Sequence, residues 1–242
     1  MKKKDPKHIE VCFTPALFNN FKNPEAIVVA VDILRASSAI VTAFMNGVKR
    51  IIPVGTIEEA RAYKEKGYMV AAERDGKVKE FADFGNSPFN FTPESVDGKE
   101  IVYSTTNGTQ AIQLAGDHHQ VLVGAFLNIH AIEEHLKKKK REVIILCAGW
   151  KNKFNLEDTL FAGALVEKML KTTEYTTICD SSKASLDLWQ MAKGDLLRYI
   201  DKAAQRTRLK KLGLDDVIEY CHTFDLTTKI PVLKENYLVE LK

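Results

Sequence analysis

Short apolar, β-branched runs alternate with segments of helical period through the first three quarters of the chain. The runs Ile9 to Phe13, Ala26 to Val31, Arg50 to Val54, Met69 to Ala72, Ile101 to Tyr103, Gln120 to Val123, Val143 to Cys147 and Tyr175 to Cys179 predict strands. Between many of them, Ser37 to Asn46, Ile57 to Lys66, Thr109 to Ala115, Ile129 to Lys140 and Glu157 to Leu170 repeat apolar residues three and four apart and predict helices. This alternation predicts an α/β fold in three layers, a mainly parallel sheet flanked by helices. After Cys179 the pattern predicts helices only, with Asp187 to Ala192, Gly194 to Gln205 and Asp215 to His222 forming a helical cap or edge.

Gly76 to Asp97 follows neither period and mixes Gly, Pro, Asn and aromatic residues, as expected of a functional loop or lid. No Pro- or Ser-rich linker marks a boundary, so the expectation is a single domain over residues 1–242. Two intimately packed lobes also fit the pattern.

Composition narrows the class. The chain is 45% apolar and 28% charged, an ordinary globular balance. Thirty-five Lys and Arg against 32 Asp and Glu leave a formal charge of +3, and the one basic block, Lys137 to Arg141, reads as a solvated helix end. Nucleic acid is not an expected partner. The start, MKKKDPKHIEV, is basic but lacks an apolar leader core, and no apolar run reaches the ~18 residues of a membrane span. The four cysteines, Cys12, Cys147, Cys179 and Cys221, lie far apart without a C-x-x-C pair and are expected to be reduced. A cytoplasmic location follows as an expectation. The sequence does not specify an oligomeric state, a homodimer included.

Candidate chemistry sits at strand ends. In Val29-Ala-Val-Asp32-Ile-Leu-Arg35-Ala-Ser37-Ser38 an apolar run ends in an acid and enters a helix. Ligands of parallel sheets bind off the carboxyl ends of strands, where Asp32 would serve as metal ligand or nucleophile and Arg35 as a forked cation for phosphate or carboxylate. The plainer alternatives are an Asp32–Arg35 salt bridge, or Ser37 or Ser38 as a helix cap. In Ser104-Thr105-Thr106-Asn107-Gly108-Thr109 a second strand stops in hydroxyl and amide residues before a helix. Such a start offers amides and hydroxyls to an anion, with Asn107-Gly108 permitting a positive φ; a hairpin turn or plain N-cap is the alternative.

The acids Glu73, Asp83, Glu157 and Asp158 also fall after or between apolar runs. Oxygen ligands of this kind suit Mg²⁺, although acids in a first helical turn also complement the helix dipole, the simpler account for one of Glu157 and Asp158. No zinc spacing, Gly-x-Ser-x-Gly elbow or Walker loop is present in the sequence.

Taken in order, these motifs resemble the 2-phosphosulfolactate phosphatases, Mg²⁺-dependent enzymes of coenzyme M biosynthesis. The resemblance rests on Asp32-Ile-Leu-Arg35-Ala-Ser-Ser38, Glu73-Arg74, Phe84-Gly-Asn-Ser-Pro88, Thr105-Thr-Asn-Gly-Thr109, Cys147-Ala-Gly149 and Glu157-Asp158, spread over residues 27–165. Ala72, Ser104 and Asn155 stand where the family usually has Gly, Thr and Ser. The resemblance implies hydrolysis of a small phosphorylated organic acid. Mg²⁺ would be held by Asp32 with one or more of Glu73, Glu157 and Asp158. Arg35 and the Thr105 to Thr109 turn would neutralise the phosphoryl group, and Arg74 with Asn86 and Ser87 of the Gly85 to Pro88 loop would grip the acid end. Phospholactate and phosphoglycolate are rival substrates. A non-catalytic phosphometabolite-binding protein is the rival of another class, against which the acidic set argues, because carboxylates beside a phosphate repel it.

Overall fold

Eleven strands form one sheet in the computed structural model, which describes residues 5–21 and 23–242. The basic start, Met1 to Lys4, lies outside the described residues. In chain order the strands are β1 (Lys7–Cys12), β2 (Ile27–Val31), β3 (Arg50–Pro53), β4 (Met69–Arg74), β5 (Lys77–Val78), β6 (Glu100–Ser104), β7 (Gln120–Gly124), β8 (Val143–Cys147), β9 (Tyr175–Thr176), β10 (Pro231–Lys234) and β11 (Tyr237–Glu240). The helices are α1 (Ala36–Met45), α2 (Ile57–Glu65), α3 (Pro93–Val96), α4 (Gly108–Leu114), α5 (Ile129–Lys139), α6 (Leu156–Leu170), α7 (Asp180–Ala192), α8 (Leu196–Ile200), α9 (Ala204–Lys211) and α10 (Ile218–Cys221).

The α/β expectation holds, and the mid-chain strands match their apolar runs closely. Every residue of β2 and of β8 is buried, the mark of strands covered on both faces. Helix α1 is buried along nearly its whole length, whereas α2 shows a solvated face and starts on a Thr56–Glu59 capping box. Helices α6 and α7 pack closely because residue 163 is glycine: a Cβ there would come within 2.0 Å of the Ser185 carbonyl oxygen.

The C-terminal quarter departs from the expected pattern. Helix α7 begins seven residues before Asp187, and the expected helix Gly194 to Gln205 is broken into α8 and α9. Beyond Cys221 the chain is not helical. It forms the hairpin β10–β11, turned through Glu235 and Asn236, with Glu235 at φ 54. Neither residue is glycine, so the usual two-residue hairpin signature is missing.

That hairpin sits in the middle of the sheet. The strand order is β5-β4-β6-β3-β11-β10-β7-β2-β8-β1-β9, with β4, β6 and β3 parallel to one another and β7, β2, β8, β1 and β9 parallel to one another. Three antiparallel pairings, β3–β11, β11–β10 and β10–β7, connect the two blocks, so the blocks run in opposite senses. In a flat sheet their carboxyl ends would lie on opposite edges. Twist of about 20–25° per strand accumulates to about 100–125° over the five steps from β6 to β2, and turns the two sets of ends toward each other.

The hairpin is therefore a structural bridge, and Leu238, fully buried in β11 opposite Ile51, is its anchor. Leu238→Ala should cost about 2–5 kcal/mol, whereas Leu241→Ala, beyond the strand and only partly buried, should cost under about 1.5 kcal/mol. Chemical denaturation of the two variants checks this; equal, small losses would show that the bridge is dispensable.

Candidate active site

The apolar run of β2 ends at Asp32, and the chain turns at once into α1. Ser37 and Ser38 close that turn: the Asp32 amide donates to Ser37 Oγ at 3.1 Å, the Ser37 amide donates back to the Asp32 carbonyl at 2.8 Å, and Ser38 Oγ donates to the Ile33 carbonyl at 2.9 Å. Asp32 and Arg35 are both buried and both line one polar cleft. Among the described residues Arg35 makes no ion pair within 4.0 Å. The salt-bridge alternative for this motif is not what the structure adopts.

Two other acids act as struts. Asp158 is fully buried, with Oδ1 accepting the Ile33 amide at 2.8 Å and Oδ2 the Gly149 amide at 3.1 Å, so it joins the loops after β2 and β8. Glu73, at the end of β4, accepts the Thr106 amide (3.1 Å) and hydroxyl (3.0 Å) on Oε1 and the Gly76 amide (2.7 Å) on Oε2, joining the ends of β4 and β6. Arg74 is engaged similarly: its guanidinium donates to the carbonyls of Glu73 and Gly55 and to Ser104 Oγ. It does not line the cleft and holds strand ends together instead of gripping an acid. Asp83 lies elsewhere, paired with Lys64 at 2.6 Å and accepting the Val70 amide.

The threonines after β6 are turned inward. Thr105 and Thr109 exchange hydroxyl and amide hydrogen bonds at 3.2–3.3 Å and the Thr106 hydroxyl donates to Glu73, so all three hydroxyls are engaged within the protein. Asn107 does line the cleft, its Oδ1 accepting the Lys151 amide at 3.2 Å. Gly108 is needed for close approach and not for an unusual φ, which the expected tight turn would have required. A Cβ there would lie 2.7 Å from Ala36 Cβ and 3.0 Å from Asp32 Oδ2. The absent side chain lets α4 abut the Asp32 loop. From the Gly85 to Pro88 loop, Asn86 reaches the cleft with a buried, unpartnered Oδ1, while Ser87 only precedes a short 3-10 turn.

The opposite wall includes three residues that no sequence motif marked, Trp150, Gln205 and Arg208. After β8, Gly149 at φ +63 leads into a tight turn in which Lys151 and Asn152 both adopt positive φ and Trp150 and Lys153 exchange backbone hydrogen bonds at 3.0 Å. Trp150 is thereby set under α9, whose Arg208 guanidinium carbon lies 3.4 Å from the indole centroid. Gln205, one turn earlier on the same helix, donates to the Leu34 carbonyl at 3.3 Å. Arg208, Gln205, Trp150 and Asn155 all line the cleft with Asp32, Arg35, Glu73, Asn86 and Asn107. The available signal was the i, i+3 spacing of an amide and a guanidinium in a predominantly polar helix, which any solvated helix shares.

Burial dominates the electrostatics. It pushes the Asp32 carboxyl up to about 7, with Glu73 adding to the rise against the Ala36 amide and the Arg35 and Arg208 guanidinium groups. Burial pushes Glu157 to about 7 as well, and the Asp32 charge contributes. Asp158 is raised too, by burial and then by Asp32, while the Ile33 and Gly149 amides work against the rise. Desolvation lowers Arg208.

With Glu73 and Asp158 committed to amides, Asp32 and Glu157 are the acids with coordinating capacity left. The buried Oε1 of Glu157 and Oδ1 of Asn86 have no hydrogen-bond partner among the described residues. These hard oxygens are the donor type of Mg²⁺, which uses one or two carboxylates and keeps several waters. The one group of His, Cys, Asp and Glu among the described residues whose ligand atoms lie within 4.8 Å of one another is His130, Glu133 and Glu134. There Glu133 is already paired with Lys137 and Lys168, so that group is a surface ion-pair network.

Comparison with known proteins agrees with this geometry. The family model for 2-phosphosulpholactate phosphatase matches residues 12–236. A probable 2-phosphosulfolactate phosphatase of Caldanaerobacter subterraneus is 36% identical over 214 residues, 87% of this chain and 88% of that protein. Another, from Pseudothermotoga lettingae, is 33% identical over 233 residues, covering 96% of this chain and 98% of the relative. A third, from Thermotoga maritima, is 36% identical over 205 residues, 85% and 88% of the two chains. With a cleft of buried acids and guanidinium groups at its strand ends and a family match over nearly its whole length, this chain belongs to the 2-phosphosulpholactate phosphatase family, a family of phosphoric monoester hydrolases.

Proposed function

We propose that this protein hydrolyses 2-phosphosulfolactate, with Mg²⁺, to sulfolactate and inorganic phosphate, a cytoplasmic reaction of the coenzyme M biosynthesis type. The observation that carries the reading is the pairing at the end of β2: a buried carboxyl pushed up to about 7 beside a buried guanidinium without an ion-pair partner among the described residues. A buried unpaired cation is costly unless an anion binds it, and phosphoryl oxygens match its fork. The names of the relatives supply the substrate.

In this reading Arg35 donates to the phosphoryl oxygens and neutralises the charge that spreads over them in the transition state. Asn107 and Asn86 line the same cleft and orient the group. Ionised Asp32 serves by one of two routes. It attacks phosphorus directly, displacing the hydroxy acid to give an aspartyl phosphate that water later cleaves. Alternatively it takes a proton from a water that forms the new P–O bond as the ester P–O bond breaks. Either route ends in phosphate and an alcohol, the leaving oxygen taking up one proton. Asp32 and Glu157 would hold Mg²⁺, which would supply further positive charge for the phosphoryl group. Among the described residues no helix is long and apolar enough to cross a membrane.

A phosphate-release screen over 2-phosphosulfolactate, phospholactate and phosphoglycolate tests the substrate. Release should be fastest from the first, should need Mg²⁺ or Mn²⁺, and should stop with excess EDTA. Full activity in EDTA would remove the metal from the mechanism, and no release from any of the three would leave only a binding role.

Arg35→Ala should lower kcat/KM by about 100-fold or more, the effect of losing one transition-state contact. For Asp32 and Glu157 the sign of the pH effect is set by their raised values. The folded protein holds these protons up to about pH 7, while the unfolded chain releases them near the ordinary carboxylic range of about 4. The contribution of these two groups to metal-free stability is therefore fully present below about pH 4 and is lost as pH rises to about 7. Asp32→Asn and Glu157→Gln remove this penalty, so each should raise the metal-free Tm at pH 8 by about 3 °C or more, with the gain vanishing near pH 4, while Asp32→Asn abolishes turnover. A lower Tm at pH 8 would mean that the acids are structural.

A further inference from the structure

The cleft holds two guanidinium groups, and the phosphoryl chemistry at Asp32 uses only one. Arg35 comes from the loop after β2, whereas Arg208 comes from α9, 173 residues later in the chain, and closes the opposite wall with Trp150 and Gln205. Three features mark Arg208 as a ligand group. Its guanidinium is stacked on Trp150 at 3.4 Å, which fixes its plane and leaves its N–H edge pointing within that plane. Its Nε is buried without a hydrogen-bond partner, an unmet donor inside the molecule. Among the described residues it makes no ion pair within 4.0 Å, although Arg206 of the same helix is paired with Asp201 and Asp215.

We infer that Arg208 is a specificity-determining residue of this cleft: it binds the second acidic group, a carboxylate or sulfonate, of a substrate whose phosphoryl group lies at Asp32 and Arg35. A planar fork is suited to a two-oxygen acceptor, and the stack on Trp150 leaves less motion to be lost when the acid binds. Selectivity for short phosphorylated acids over simple phosphate esters then follows from a donor that is satisfied only when the second acid is present. Arg74, the sequence candidate for this role, is engaged with backbone carbonyls and does not line the cleft.

The inference rests on the phosphatase reading, and two readouts keep their failures apart. Phosphate release is measured with 2-phosphosulfolactate, phospholactate and ethyl phosphate, which carry two, one and no acidic groups beside the phosphoryl group. Arg208→Met should lower kcat/KM about 10- to 100-fold on the first two and less than about 2-fold on ethyl phosphate, and Arg208→Lys, which keeps the charge but not the fork, should fall between. A drop confined to 2-phosphosulfolactate assigns Arg208 to the sulfonate, and one shared with phospholactate assigns it to the carboxylate. Parallel losses on all three substrates, or none, would overturn the inference.

The second readout does not need turnover. Trp150 emission is followed in a Trp189→Phe background while sulfolactate, which has no phosphoryl group, is titrated in. Sulfolactate should change the emission, with affinity reduced about 10- to 100-fold by Arg208→Met. Unaltered affinity would sink the assignment to Arg208 even if the enzyme proves to be a phosphatase, and altered affinity in a protein that releases no phosphate would sustain Arg208 while removing the hydrolytic reading.

Discussion

The arrangement depends on one buried carboxylate. Asp158, wholly removed from solvent, accepts the Ile33 amide on one oxygen and the Gly149 amide on the other. A single side chain thereby ties the loop that carries Asp32 and Arg35 to the loop that carries Trp150. The two amide donors favour the ionised carboxyl, while burial and the Asp32 charge act against them and raise its proton affinity. Loops after parallel strands are otherwise free to move, and a phosphoryl site tolerates displacements well under 1 Å. Asp158 makes those two loops behave as one body.

Glu73 plays the same part on the other side, holding the end of β4 to the turn after β6 through three hydrogen bonds. The acids of the cleft thus divide by what their oxygens already bind. Both oxygens of Glu73 and of Asp158 already accept hydrogen bonds that hold loops together, while Glu157 keeps a buried oxygen without a partner among the described residues and Asp32 faces the cleft. Such a division gives the neighbouring carboxyl groups different tasks: Glu73 and Asp158 bind amides of the scaffold, and Asp32 and Glu157 keep oxygens for a cation or a proton. Close approach completes the scaffold, since Gly108 allows α4 to come against Asp32 where any side chain would collide.

The cleft also needs the far end of the chain. The β10–β11 hairpin is inserted between two parallel blocks of opposite sense, and the twist across it brings the carboxyl ends of β2, β4, β6 and β8 to one place. Helix α9 then covers that place, contributing Gln205 and Arg208. Segments far apart in the chain are therefore committed to one cleft, β2, β4, β6 and β8 through the loops at their ends and β10 and β11 through the bridge they form.

Much of this was legible from local chemistry. Apolar runs bounded by polar strand ends identified the central strands, because a strand buried on both faces admits few other residues; the same strand ends located Asp32, Arg35, Glu73 and Asn107, and the family resemblance located Asn86, all of which line the cleft. The motif Thr105 to Thr109 was equally visible, but not what its hydroxyls do: those of Thr105 and Thr109 bond within the turn and that of Thr106 bonds Glu73, and only the fold shows it. Which acids act as struts, whether Gly108 is required for φ or for space, and why Arg74 is unavailable all depend on partners 19 to 125 residues away. The hairpin escaped notice because its strands are specified by neighbours on either side and its turn lacks glycine, and Arg208 because a guanidinium on a helix with other cationic residues carries no local mark. Residue type and spacing determined where the strands end and which groups gather there; only tertiary structure decided which of those groups remain free, since freedom is set by what the rest of the chain places within hydrogen-bonding reach.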